Sequence, residues 1–122
     1  MKDILWETPN CRQIPGDPQR RWFSSRTIDL IVWFKGDVIS GFQLCYRDGP
    51  LERALTWHRG TGYRHERVDD GERPMRSKMT PILVSDGSFP KNFVYEMFTS
   101  QAENLETDIR KTVENALLEF PE

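Results

Sequence analysis

The sequence is short of cysteine, of long apolar runs and of charge of one sign, and each shortage removes a class of protein. Two cysteines, Cys11 and Cys45, cannot form the dense disulfide framework of a small secreted scaffold. No window approaches the roughly 18 apolar residues of a membrane span, so no membrane partner is expected. Residues Met1 to Glu7 lack the apolar core of a signal peptide. Basic and acidic residues number 17 and 19, a formal net charge of -2. Nucleic-acid binders usually carry a basic excess, so the balance argues against one and leaves room only for a local patch. Together these shortages point to a cytoplasmic protein with reduced thiols.

Several chemical signatures are also missing. Cys11, Cys45, His58 and His65 show neither Cys-x-x-Cys nor His-x-x-x-His spacing, so no metal and no cofactor is implied. Asp69-Asp70-Gly71-Glu72 brings carboxylates together without the alternation of a calcium loop, and reads as an Asp-Gly turn closing a strand. Gly60-Thr61-Gly62 does not open a helix, and no Gly-x-Ser-x-Gly elbow occurs. Arg12, Arg20, Arg21 and Arg26 surround Trp22 and Phe23. Such interleaving can grip single strands, but arginine stems covering apolar surface and pairing with carboxylates explain it more simply.

What is present is the pattern of one α+β domain over residues 1–122, enough to bury a core without staples. Residues 1–24 show no period and contain Pro9, Pro15, Gly16 and Pro18, so they read as an irregular segment lying along a sheet. Residues 27–85 read as an antiparallel meander of four to five strands: Thr27–Phe34, Val38–Tyr46, Glu52–Arg59, Tyr63–Asp69 and a short Pro81–Ser85. Residues 70–79 read as a loop. Residues 90–119 carry apolar residues at spacings of three and four, with Pro90 at the start, and form one or two helices. The expected fold is this meander with one face covered by the C-terminal helices.

Turn lengths propose a register. A three-residue loop at 35–37 would pair Phe34 with Val38, Leu30 with Phe42 and Ile28 with Leu44. A four-residue loop at 48–51 would pair Leu44 with Leu55 and Phe42 with Trp57. These residues make one apolar face. The opposite face would collect Asp29, Ile31, Trp33, Ile39, Gln43, Cys45, Thr56 and His58. A loop at 59–62 would add Tyr63, His65 and Arg67, giving a polar row Asp29, Gln43, Thr56, His65. A one-residue slip at that last turn would carry His65 to the core side.

The candidate ligand or interface face is therefore Asp29, Trp33, Gln43, Thr56, His58, Tyr63, His65 and Arg67, with no catalytic residue assigned. The favoured reading is binding, to a second copy as a homodimer or to another protein, because Trp33, Ile31 and Ile39 put a large apolar end on a polar sheet face. The alternative is a small-ligand binder or enzyme using Asp29, Gln43, Thr56, His58, His65 and Arg67, where the histidines would exchange protons.

The runs Asp29-Leu30-Ile31-Val32-Trp33, Gly41-Phe42-Gln43-Leu44-Cys45-Tyr46, Glu52-Arg53-Ala54-Leu55-Thr56-Trp57, Arg67-Val68-Asp69-Asp70-Gly71-Glu72 and Thr80-Pro81-Ile82-Leu83-Val84 resemble a family of short bacterial proteins with no assigned activity. The likeness covers the chain from about Arg20 onward. It implies a bacterial origin and transfers no functional residue.

Overall fold

The computed structural model describes residues 3–9, 11–49, 51–69, 82–85 and 89–121. Among these residues the strands are β1 (Trp6–Glu7), β2 (Gln19–Ser24), β3 (Ile28–Lys35), β4 (Val38–Asp48), β5 (Leu51–His58), β6 (Gly62–Asp69) and β7 (Ile82–Ser85). They form one antiparallel sheet in sequence order, a meander. Two helices follow, α1 (Lys91–Gln101) and α2 (Thr107–Leu118). The α+β meander with a helical C-terminus is as the sequence predicts. The segment read as irregular supplies two further strands, and the helical region is two helices rather than one. Residues 70–81, including most of the acidic Asp-Gly turn and the loop after β6, lie outside the described residues.

Period-two burial along β3 separates Ile28, Leu30 and Val32, which are buried, from Asp29, Ile31 and Trp33, which are half-buried. The inward set joins Phe23, Phe42, Leu44, Tyr46 and Leu55 under Val94, Phe98, Ile109, Val113 and Leu117 of the helices. Spacings of three and four on α2 aim Ile109, Val113, Ala116 and Leu117 at the sheet. On α1, Val94 and Phe98 do this, while Phe93 stays exposed. Leu5, fully buried, wedges into the same core from the N-terminal side.

Two turns differ from expectation, and both changes matter for the faces. Lys35 pairs with Val38 around Gly36, at φ 64°, because glycine tolerates the left-handed conformation of a two-residue hairpin turn. A bulge then absorbs Ser40, whose hydroxyl donates to the Trp33 carbonyl at 3.3 Å. Ile39 consequently pairs with Phe34 and joins the core instead of the outer face. Beyond the bulge Leu30 faces Leu44 and Asp29 faces Cys45, two residues on from the predicted partners but with the same faces. Leu44–Leu55 and Phe42–Trp57 pair as predicted.

The second difference is at β5–β6. Gly60 and Gly62 both take positive φ, 84° and 113°, and His58 pairs with Gly62 rather than Tyr63. One residue fewer in the loop flips β6. Tyr63, His65 and Arg67 therefore share the face of Trp57, Leu55 and Arg53, the helix side.

The edge beside β1 is short, and β2 outlasts it. There the Gln13 side chain substitutes for a strand: its amide donates to the Arg20 carbonyl at 2.8 Å and accepts from the Arg20 amide at 2.9 Å. Pairing both backbone groups blunts an edge that would otherwise recruit another strand.

Candidate binding face

The face turned away from the helices is organised in rungs set by the register. One runs Ser24, Asp29, Cys45, Ala54, Glu66; the next runs Trp22, Ile31, Gln43, Thr56, Arg64. The third runs Arg20, Trp33, Gly41, His58. Trp6 stands beside Ser24 at the β1 edge and is 65% exposed.

Most polar groups on this face are already engaged. Asp29 Oδ1 accepts from the Ser24 hydroxyl at 2.6 Å and from the Trp22 indole N–H at 3.4 Å. The Thr56 hydroxyl donates to Gln43 Oε1 at 3.5 Å, and the Gln43 amide donates to Cys45 Sγ at 3.4 Å. Arg64 donates to Glu66 Oε2 at 3.0 Å, whereas Glu66 Oε1 is buried without a hydrogen bond.

Trp33 and His58 stack across Gly41, with ring centroids 5.2 Å apart and planes 18° apart. A Cβ on Gly41 would lie 2.5 Å from the Trp57 carbonyl oxygen and 2.9 Å from His58 Nδ1. Glycine is what lets the two rings close over β4.

The face has two halves. Over β5 and β6, Ala54, Thr56 and Glu66 are buried, at 1%, 8% and 7% exposure. Over β1 to β3, Trp6 is exposed and Trp22, Ile31 and Trp33 are half-buried. Among the described residues no helix or strand packs on this open half.

The sequence-derived site is thus divided. Asp29, Trp33, Gln43, Thr56 and His58 share the outer face. Tyr63, His65 and Arg67 do not, because the shorter loop before β6 reverses their direction. His65 Nε2 and the Tyr46 hydroxyl share a 2.7 Å hydrogen bond on the helix side. Phe89 meets both rings edge-on, at 71° to His65 and 74° to Tyr46. The Tyr63 hydroxyl donates to the Ala116 carbonyl at 2.7 Å. Burial pushes the Tyr63 phenol up from its ordinary pKa, with the Glu119 charge adding to the effect. These groups form an aromatic seam between sheet and helices. They do not meet His58.

Among the described residues, grooves flank the helices, one of them about 330 Å³ between the β3–β4 hairpin and the start of α2. None of these touches Asp29, Gln43, Thr56 or His58. Among the described residues no three His, Cys, Asp or Glu side chains gather to hold a metal ion. No described helix is long and apolar enough to cross a membrane.

The basic–aromatic run around Trp22 separates by strand alternation. Arg20 and Trp22 point outward, the guanidinium 6.0 Å from the indole centroid. Arg21 points to the helix side, over Phe23 and Phe34 at 5.3 and 6.0 Å. It donates to both oxygens of Glu7 at 2.8 and 2.7 Å and to Glu106 at 3.1 and 3.0 Å. Those bonds hold both carboxyls below their ordinary pKa and raise that of Arg21. For Arg21 the packing-and-pairing reading of the run holds.

Trp6 and Trp22 are the outer-face aromatics that sequence reading missed, as it missed Arg64 and Glu66 on the flipped β6. For the aromatics the signal was the alternation in Gln19-Arg20-Arg21-Trp22-Phe23-Ser24, obscured by the prolines before it. Comparison with models of protein families, with curated proteins and with solved structures finds no match to this chain.

Proposed function

We propose that the chain acts by binding through the outer face of its sheet, to a second copy of itself or to a partner protein. One observation carries this reading: Trp6, Trp22, Ile31 and Trp33 lie side by side over β1 to β3 on a face that no described element covers. Contiguous apolar surface rimmed by polar groups is what association surfaces present. Around it Asp29 and Gln43 already hold hydrogen bonds within the sheet, so covering them leaves few groups unpaired.

Trp33→Glu tests the reading. Native mass spectrometry over rising protein concentration should show an associated species in the unaltered chain and at least a tenfold weaker one in the variant, about 1.4 kcal/mol. Monomers in both at about 1 mM, an affinity of only some 4 kcal/mol, would end the self-association version.

The enzyme reading needs Asp29, Gln43, Thr56, His58, His65 and Arg67 to converge in a pocket. They occupy opposite faces, and no observation favours it. We also place the chain in the reducing cytoplasm. In support, Cys11 and Cys45 form no disulfide.

A further inference from the structure

Residues 3–8 meet the rest of the chain as a separate strand would. Leu5 fills a fully buried socket in the core. Its amide donates to the Gln101 carbonyl at 3.0 Å, and the Asn104 side chain donates to its carbonyl at 3.4 Å. The Asp3 carboxylate accepts from the Arg26 amide at 3.0 Å and the Thr27 hydroxyl at 2.9 Å. Trp6 and Glu7 pair with Ser24 and Phe23, and the Thr8 amide donates to the Trp22 carbonyl. With Arg21, which donates to Glu7, the hydrogen-bonding partners of the arm lie between residues 21 and 27 or between 101 and 104.

Among the described residues of the connector, 9 and 11–18, none hydrogen-bonds to that socket. The connector carries Pro9, Pro15 and Pro18, and its described residues are exposed apart from half-buried Cys11. Its hold on the sheet is Gln13, at Arg20, together with the Arg12 carbonyl that accepts from Arg20 Nε at 2.8 Å. The socket therefore recognises the arm and is indifferent to how the arm is attached.

We infer that the arm exchanges between copies: the groove formed by β2, the 25–27 turn and the end of α1 accepts residues 3–8 of a second copy of this chain. All the contacts above re-form in trans, which is why exchange of an identical element is a low-cost route to a dimer. The loss is the tether, equivalent to an effective concentration of about a millimolar for a short flexible connector. Three prolines restrict how that connector doubles back, which lowers the concentration needed. This surface is the edge of β2, which shares Trp6 with the outer face; a cysteine pair across β1 and β2 reports arm exchange itself, whereas Trp33→Glu reports the outer face.

The test uses the register. Trp6 and Ser24 are directly opposed across β1 and β2. In a background with Cys11→Ser and Cys45→Ser, one chain carries Trp6→Cys and another Ser24→Cys. A chain carrying both substitutions should close its disulfide within itself; failure to do so overturns the pairing on which the inference rests. The two single-cysteine chains, mixed at about 0.5 mM, near that effective concentration, and mildly oxidised, should give the mixed disulfide several-fold above the statistical proportion. Adding Leu5→Asp to the Trp6→Cys chain should remove that excess. A mixed disulfide at the statistical proportion, or one insensitive to Leu5→Asp, overturns the inference.

Discussion

The two faces of this sheet are built from the same strands and solve opposite problems. The helix side is closed by apolar packing, with Leu30, Val32, Phe42, Leu44 and Leu55 all at zero exposure. The outer side is closed by pairing: Ser24, Trp22 and Asp29 at one edge, Gln43, Thr56 and Cys45 in the middle, Arg64 and Glu66 beyond. A face whose buried polar groups are paired apart from Glu66 Oε1, with tryptophans at one end, is suited to being covered and uncovered. A face of interlocked aliphatics is not. The difference is why the proposed binding function is sought on the outer side.

Matched truncations test that division most directly. Phe42→Ala should cost about 3–5 kcal/mol in urea denaturation, since it opens a cavity in a dense core. Ile31→Ala, on the neighbouring strand but facing outward, should cost under about 1 kcal/mol by the same measurement, because part of its surface already meets water. Equal losses would mean that the outer face is also a core, and that the tryptophans are there for stability.

Gly41→Ala comes next. The added methyl meets the Trp57 carbonyl and the His58 ring, so the strand must shift, at about 1–3 kcal/mol. The same substitution should part Trp33 from His58 and change tryptophan fluorescence. A stable variant with unchanged emission would show that the two rings do not depend on the glycine beneath them.

These faces were legible in the sequence to the extent that alternation sets them. Ile28, Leu30 and Val32 against Asp29, Ile31 and Trp33 could be assigned from period two alone, and the Leu44–Leu55 pairing followed from the turn at 48–51. The failures came where backbone conformation decides parity. Gly60 and Gly62 both adopt positive φ and save one residue of loop, which sends His65 and Arg67 to the helix side. Ser40 enters a bulge and takes Ile39 inward. Neither choice is visible in side-chain polarity. At β2 the alternation was present, but Pro9, Pro15 and Pro18 masked its start, so Trp6 and Trp22 were lost from the candidate face.

Where the helices run out, the helix side is closed by charge instead, and there the contrast between the faces is at its weakest. Arg21 lies between Glu7 and Glu106 at the rim, with its stem over Phe23 and Phe34. Both carboxyls are held below their ordinary pKa, chiefly by the hydrogen bonds from Arg21. A depressed carboxyl pKa contributes stability that is present above the unfolded value, roughly pH 4–5, and is lost as pH falls through the folded value. The pair is partly solvated, with 42% and 64% of the two carboxylate side chains exposed, so Arg21→Ala should cost only about 0.5–1 kcal/mol at pH 7. Measured by urea denaturation at successively lower pH, that difference should shrink once both carboxylates are protonated. A difference that stays constant into acid would assign the effect to the arginine stem on Phe23 and Phe34, making even this rim an extension of the apolar core.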